Sequence, residues 1–363
     1  MTDIPFFATQ RTWAEHGARY LELMRGALAG GRALQGEPVA AFEAALARRC
    51  ERRHAIAVGS GTDALAFGLR AAGVGPGDEV IAPAVSFIAS ASCVVRVGAT
   101  PVFADVDERL LIDLDSAAAL VTPRTRALVV VDLFGQMVDP SAAEAFASAH
   151  GLVLVEDAAQ ALGAEAARRP AGATGTLSCC SFDPTKTLAA PGSGGAVLCD
   201  DDDLAARVRR LRWHGRDESG AYVELGFNSQ LPSATAAVLA EKLDQHDHWT
   251  ARRREIAARY DDALAGGGHR ALGPALGRTH VYSKYVVRGP RRDAIREALG
   301  AAGIPTLVHY ALPLPRQPLF GGSSAPFPRA DEACGEVFSL PMHAYLSDDE
   351  VGRVCGALRA ARG

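Results

Sequence analysis

Between His54 and about Asp200, short apolar runs alternate with helical stretches, and this alternation constrains the fold more than any other feature of the chain. His54–Val58, Glu79–Ala82, Pro101–Ala104, Ala127–Val131, Leu152–Val155 and Ala196–Leu198 have the length and continuous apolar character of buried strands. Ser60–Ala72, Ser86–Val97, Pro140–His150 and Asp201–Trp213 carry helical patterning between and after them. A strand followed by a helix and another strand favours parallel pairing, because the helix carries the chain back to the edge where it started. The expected fold is therefore α/β, with a mostly parallel sheet covered by helices on both faces. In such sheets ligands gather at the carboxyl ends of the strands, and the chemistry is sought there.

Helical patterning resumes near Ser233 and runs to about Leu264, where Gly266-Gly267-Gly268 breaks it. A strand-like stretch (Val281–Val287), a helix (Arg291–Ala302), a proline-rich loop (Leu312–Pro328) and two short helices follow. These form a second, smaller α/β unit, as suits a chain of 363 residues. The expected division is 1–246 for the large unit with its N-terminal segment and 247–363 for the smaller one, with the boundary inside helical sequence.

A net charge of −4 without a basic run leaves no electrostatic footprint for nucleic acid. Met1–Gln10 lacks the basic-then-apolar order of a signal peptide, and no apolar run reaches the ~20 residues of a membrane helix. Seven scattered cysteines with no CxxC pair read as reduced thiols, so a cytoplasmic protein is expected. His246 and His248 have no further ligands near them in sequence, and no metal ion is expected. Gly73-Val74-Gly75-Pro76-Gly77 lacks dinucleotide-loop spacing and precedes a strand, so it reads as a turn.

Only three of the 38 basic residues are lysines: Lys186, Lys242 and Lys284. Arginine serves as a positive charge, but its guanidinium stays protonated and cannot act as a nucleophilic amine. Lys242 lies in helical sequence and Lys284 in strand-like sequence, and both read as solvated charges. Lys186 lies in a loop punctuated by Pro184 and Gly192, where no periodicity accounts for it.

Two other segments belong with that loop. Ser60-Gly61-Thr62-Asp63 follows a strand and opens a helix, so it is either an anion-binding turn or a plain helix cap. Glu156-Asp157-Ala158-Ala159-Gln160 follows the apolar run ending at Val155, which puts a carboxylate at a strand's carboxyl end. That carboxylate is either a cap or salt-bridge partner, or a group that keeps a pyridinium nitrogen protonated. A phosphate turn, a ring-nitrogen carboxylate and a lysine in one cleft are the requirements of pyridoxal 5'-phosphate (PLP) chemistry.

The strings SGTDAL (Ser60–Leu65), PAVSFIASA (Pro83–Ala91), EDAAQALGA (Glu156–Ala164), SFDPTKTLAAPGSGGAV (Ser181–Val197), LRWHG (Leu211–Gly215) and GFNSQLPSATAAVL (Gly226–Leu239) resemble, in order, the motifs of the DegT/StrS family. These are PLP-dependent sugar aminotransferases of fold type I, the aspartate-aminotransferase-like fold. HYALPLPRQP (His309–Pro318), SLPMHAYLSDDE (Ser339–Glu350) and QGEPVAAFEAALA (Gln35–Ala47) extend the resemblance to nearly the whole chain. It implies that Lys186 is the Schiff-base lysine, that Asp157 is the pyridinium partner, and that Gln160 lies by the ring's phenolic oxygen. Phe87 matches the stacking aromatic, and Gly61, Thr62 and Ser181 match phosphate contacts. Asn228 matches a phosphate contact from the other subunit, which implies a homodimer with shared sites. His309 and Tyr310 match a segment near the substrate, though a packed structural pair reads equally well from the residues alone. The chain departs from the family pattern at Gln230, where an arginine is usual.

The implied reaction moves an amino group from glutamate through pyridoxamine phosphate to a keto-sugar linked to a nucleotide. The family's sugar dehydratases carry histidine at the lysine position, so Lys186 argues for transamination. An aldolase or lyase, an aminocyclitol acceptor and a PLP-binding regulator without turnover remain open from the sequence.

Overall fold

The computed structural model describes residues 4–361. The first three positions of the expected large unit and the last two of the smaller one lie outside the described residues.

Two helices open the described chain, α1 (Thr9–Ala29) and α2 (Glu37–Arg49). The strand–helix alternation then runs β1 (His54–Val58), α3 (Gly61–Ala71), β2 (Glu79–Pro83), α4 (Ala89–Arg96), β3 (Thr100–Ala104), α5 (Leu114–Ala118), β4 (Thr125–Val131), α6 (Pro140–His150) and β5 (Val153–Asp157). A small hairpin, β6 (Glu165–Ala166) and β7 (Arg169–Pro170), leads to β8 (Leu177–Ser181), β9 (Gly195–Cys199) and α7 (Asp202–Leu211). All six expected strands and all four expected helices are present, with ends shifted by a few residues. The largest helix shift is in the expected Ser86–Val97, which starts only at Ala89. The sequence reading lacks β8 and the short hairpin strands β6 and β7.

The sheet has seven strands in the order β1-β9-β8-β5-β4-β2-β3. Pairing is parallel from β8 to β3, while β9 runs antiparallel to both of its neighbours. β9 thus lies between β1 and β8, with Gly195 opposite Val58 on one side and Ser181 on the other. This arrangement brings the segment opening at Gly59 and the segment leaving Ser181 together at one end of the sheet.

A 32-residue helix, α8 (Ser233–Leu264), links the sheet to the rest. Its first part adds Ala236 and Leu239 to an apolar cluster with Phe42, Phe182 and Leu231. Its last part adds Ile256, Ala257, Tyr260, Ala263 and Leu264 to another, with Tyr285, Phe338 and Leu340. Between them Lys242, His246, Thr250 and Arg253 are buried polar positions. The helix passes through residue 246 without a break, so the change of core happens along one rigid element.

The smaller layer comprises β10 (Arg270–Ala271), β11 (Tyr285–Arg288), α9 (Arg292–Ala301), α10 (Pro328–Glu336), β12 (Val337–Leu340) and α11 (Asp348–Ala360). Its three strands form an antiparallel sheet in the order β10-β11-β12. The strand expected over 281–287 is regular only from Tyr285, because Val281 N–H bonds Gly135 O and Lys284 N–H bonds Phe134 O in the large unit. α11 opens with a capping box in which Ser347 and Glu350 satisfy each other's backbone N–H groups.

All seven cysteines are buried free thiols. Among the described residues no helix is long and apolar enough to cross a membrane, and no group of three or more His, Cys, Asp or Glu is placed to hold a metal ion.

Candidate active site

The carboxyl end of β5 delivers Asp157 into the core, where it is 4% exposed. Its Oδ2 accepts a hydrogen bond from Ser90 Oγ at 2.7 Å, and its Oδ1 accepts one from Ala159 N–H at 3.2 Å. Ser90 Oγ is in turn 2.8 Å from Ser86 Oγ. Burial raises the Asp157 pKa, while the Ser90 hydrogen bond and the nearby Lys186 charge oppose the rise. Ser90 was not singled out from the sequence, although it lies inside the PAVSFIASA string.

Lys186 follows β8 in a turn closed by its own N–H donating to Asp183 O at 2.9 Å. Asp183 Oδ1 accepts from Thr185 N–H at 2.9 Å and from Thr185 Oγ1 at 2.6 Å, which stiffens the turn. Burial lowers the Lys186 pKa, with Asp157 and Asp183 opposing. An amine pushed toward its neutral form is the form that attacks a carbonyl or takes a proton.

The turn Ser60-Gly61-Thr62 opens α3, with Ser60 Oγ accepting from Asp63 N–H at 3.1 Å as a helix cap. Gly61 packs on Ser181: a Cβ built on it would lie 2.6 Å from Ser181 Cβ. A Cβ on Gly195 would lie 2.4 Å from the Ser60 carbonyl carbon. Only glycines permit this approach, so the GSGG string serves to seat β9 against the turn. The carboxylate of Asp63 would repel an anion, but Arg96 pairs with it and Ser229 Oγ donates to it at 2.7 Å. The first N–H groups of α3 are thus left beside Ser181 with the acid neutralised, which suits a phosphate group.

On the open side stand Phe87, 50% exposed, and Tyr310, with ring centroids 6.4 Å apart. Gln160 Nε2 donates to Tyr310 Oη at 3.4 Å, and Gln160 Oε1 accepts from Phe134 N–H at 3.0 Å. Burial pushes Tyr310 up to about 12. His309 Nδ1 is 2.8 Å from Ser339 Oγ, and burial, with Lys284 and Lys186 nearby, lowers its pKa to about 4. His309 is therefore neutral at physiological pH.

The structure brings Asp157, Lys186, Gln160, Phe87, Tyr310 and His309 to one side of the cleft and Gly61 and Ser181 to its floor. Thr62 follows Gly61 on α3. Asn228 stands apart: it is exposed, and its side chain has no hydrogen-bond partner among the described residues. Gln230, which stands where the family pattern has arginine, accepts a hydrogen bond from Gln35 Nε2 at 2.5 Å.

Two sequence readings are corrected. Lys242 is not a solvated charge: it is 6% exposed, and its Nζ donates to Ala189 O. Lys284 is not on the outer surface either: its Nζ donates to Thr185 O at 3.2 Å, directly beside Lys186. A helical or strand-like pattern identifies the element but not the cavity that one of its faces lines.

Residues 15–359 match the DegT/DnrJ/EryC1/StrS aminotransferase family. The chain belongs to that family. A protein of Geobacillus stearothermophilus named a pleiotropic regulatory protein is 39% identical over 355 residues, covering 96% of this chain and 95% of its own. The UDP-2-acetamido-2-deoxy-3-oxo-D-glucuronate aminotransferase of Pseudomonas aeruginosa is 39% identical over 329 residues, covering 90% of this chain and 92% of its own. The crystal structure of S. venezuelae DesV in complex with a ketimine intermediate superposes with a TM-score of 0.96 at 39% identity, covering 99% of this chain and 98% of that one. As a member of the DegT/DnrJ/EryC1/StrS family, the chain is a PLP-dependent aminotransferase of fold type I. The glycine-floored turn, the buried carboxylate and the neutral-leaning lysine fit that cofactor.

Proposed function

We propose that this enzyme transfers an amino group from an amino acid, glutamate in the first instance, to a keto-sugar carried on a nucleotide. The observation that carries this reading is the pairing, in one cleft, of a buried carboxylate at the end of β5 with a lysine whose amine burial drives toward neutrality. When bound, PLP supplies an electron sink for the charge left on carbon as a proton departs, and it stores the amino group between the two half-reactions.

The residues divide the remaining work. Lys186 would hold the cofactor covalently at rest and, once freed, take the Cα proton of the donor as a general base. Asp157 would hold the ring nitrogen, with Ser90 fixing the carboxylate's orientation and helping to keep it ionised. Gly61, Thr62 and Ser181 would hold the phosphate, Gln160 the phenolic oxygen, and Phe87 would cover the ring. His309 and Tyr310 would face the sugar, His309 as a neutral hydrogen-bonding group.

The enzyme works as a homodimer in this reading, with Asn228 reaching the partner's phosphate. Its exposed, unpartnered side chain supports that role, as do exposed Trp213, Tyr222, Val223 and Leu225 on the same loop region. Seven buried free thiols support a reducing, cytoplasmic setting. We treat 1–246 and 247–363 as two units joined rigidly through α8.

The test is direct. Purified enzyme, glutamate and nucleotide-linked keto-sugars are incubated, and 2-oxoglutarate and aminated sugar are measured by mass spectrometry. Stoichiometric formation of both supports the reading. Cleavage of an amino acid without amino transfer would make the enzyme a lyase, and retention of PLP with no turnover on any amino acid would make it a regulator.

A further inference from the structure

A cavity of about 410 Å³ adjoins Lys186, walled by the segment 6–20, the loop 184–191, the middle of α8 and the segment 340–345. All three lysines of the chain line it, together with Arg253. Among the described residues no aspartate or glutamate does. The chain as a whole has 42 acidic and 38 basic residues, so this segregation is not a by-product of composition.

Among the described residues Lys242, Lys284 and Arg253 make no ion pair, and Asp183 acts on Lys284 without a hydrogen bond. Lys242 Nζ donates to Ala189 O at 2.5 Å and lies 5.5 Å from the Tyr20 ring centroid and 5.9 Å from that of Trp249. Lys284 Nζ donates to Thr185 O and lies 5.3 Å from the Phe7 ring centroid. Arg253 Nη1 donates to Tyr282 O at 3.0 Å and Met342 O at 2.8 Å. Carbonyl dipoles and ring faces soften the burial of these charges but do not cancel them, and buried unpaired charge is expensive. An anion entering the cavity would supply what the protein leaves out.

We propose that this cavity receives the amino donor as a dicarboxylate, with Lys284 and Lys242 as the partners of its two carboxylates and Arg253 as a fixed background charge. The proposal rests on the aminotransferase reading of Lys186. It follows from the chemistry of the donor, whose Cα must come within reach of the Lys186 amine. Lys186 stands where the cavity meets the cleft, since the Asp157 charge acts on it and the cavity runs past it. A short diacid fits the space.

The titration of the site gives it a signature. Burial lowers Lys284 to about 7, with Lys186 and Arg253 adding to the effect and Asp183 opposing it. Burial lowers Lys242 to about 8. The other titratable groups on the wall are Lys186, which burial lowers, Arg253, which burial lowers to about 10, His343, which burial lowers to about 4, and Tyr20 and Tyr345, which it raises. Near pH 8 the empty site is therefore short of protons, and a bound dianion pulls protons onto the lysines. Near pH 6 both lysines are already charged.

Glutarate is the probe, because it has the two carboxylates and no amine and cannot react. It is titrated calorimetrically into the holoenzyme, in two buffers of different ionisation enthalpy, near pH 8 and near pH 6. Expected are saturable binding with net proton uptake near pH 8 that largely disappears near pH 6. Binding should weaken about tenfold or more in Lys284→Met and in Lys242→Met, the scale of one lost charge-assisted contact, and should survive in Lys284→Arg. In steady state, Lys284→Met should raise KM for glutamate and leave KM for the keto-sugar unchanged. Visible absorbance of the bound cofactor confirms that each variant is folded. If wild-type enzyme ignores glutarate, if the methionine variants bind it as well as wild type, or if uridine diphosphate displaces it competitively, the donor site is elsewhere. Amino transfer by the wild-type enzyme tests the aminotransferase reading separately, without reference to the cavity.

Discussion

The Ser90 hydroxyl donates to Oδ2 of Asp157 across 2.7 Å, tying α4 to the end of β5 inside a core that shields both side chains almost wholly from water. A buried carboxylate pays for lost hydration by protonating unless something stabilises its charge. Three groups do so here, the Ser90 hydroxyl, the Lys186 amine and the Ala159 N–H, and they act against the dominant burial effect. The hydrogen bond is therefore a control on the charge of Asp157.

Ser90→Ala should raise the Asp157 pKa further, since it removes a group that lowers it. If ionised Asp157 is required for turnover, the acid limb of the kcat–pH profile should move to higher pH. The drop on that acid limb should be about tenfold, as for one hydrogen bond to a charged group. Asp157→Asn should lose on the order of 10²-fold or more at every pH, because a preorganised charge is gone altogether. A Ser90→Ala profile that superimposes on wild type would remove Ser90 from this role.

Borohydride should bleach the yellow holoenzyme by reducing the covalent link between protein and cofactor to a stable amine, and peptide mass spectrometry should place the adduct on Lys186. The structure makes this a sharper test than the sequence did, because Lys242 and Lys284 line a cavity beside Lys186. Lys186 alone has the Asp157 charge acting on it. An adduct on Lys284 would reassign the site.

Gly61→Ala should weaken PLP binding. The added carbon would lie 2.6 Å from Ser181 Cβ, so either the α3 turn or the end of β8 must move. The two faces that would cradle the phosphate then separate. A rise of about tenfold in the PLP dissociation constant is expected, and fluorescence titration of the stripped enzyme reads it. The sheet should persist, because the turn lies at its edge, and far-ultraviolet circular dichroism should match wild type.

How far the sequence disclosed this architecture depended on whether a residue's environment is local. The strands His54–Val58 and Ala127–Val131 are continuous apolar runs, and burial on both faces leaves that imprint directly. β8 was not legible because its sequence, Leu177-Ser-Cys-Cys-Ser181, mixes apolar and polar residues. Ser178 can lie in the core because its hydroxyl donates to the buried Glu156 carboxylate, 22 positions and one hairpin away in the chain. The Asp157–Lys186 pairing was readable from ordered motifs, but the Ser90 contact needed the crossing of α4 over β5. Lys242 and Lys284 were misread for the same reason. α8 passes between two cores, so its buried polar middle carries no single hydrophobic stripe, and nothing in either segment announces that both lysines face one cavity with Lys186.

The shared-site reading predicts complementation between two defective chains. Lys186→Ala removes the amine but leaves Asn228 intact. Asn228→Glu keeps the amine but places a carboxylate where the partner's cofactor phosphate would lie. Asn228 is exposed and makes no side-chain hydrogen bond in its own chain among the described residues, so Asn228→Glu should not disturb the fold of the subunit. Each homodimer should be poorly active. In a heterodimer with contacts across the interface, one site combines both defects. The other combines the intact Lys186 of the second variant with the intact Asn228 of the first, and that site should work. Two-fold symmetry gives two sites per dimer, so mixed and refolded chains should recover at most about half of wild-type activity per heterodimer. If Asn228 served its own chain instead, every site in the mixture would carry one defect and mixing would restore nothing. Tagged chains, with heterodimers isolated by tandem affinity purification before assay, make that null result decisive against a cross-subunit phosphate contact.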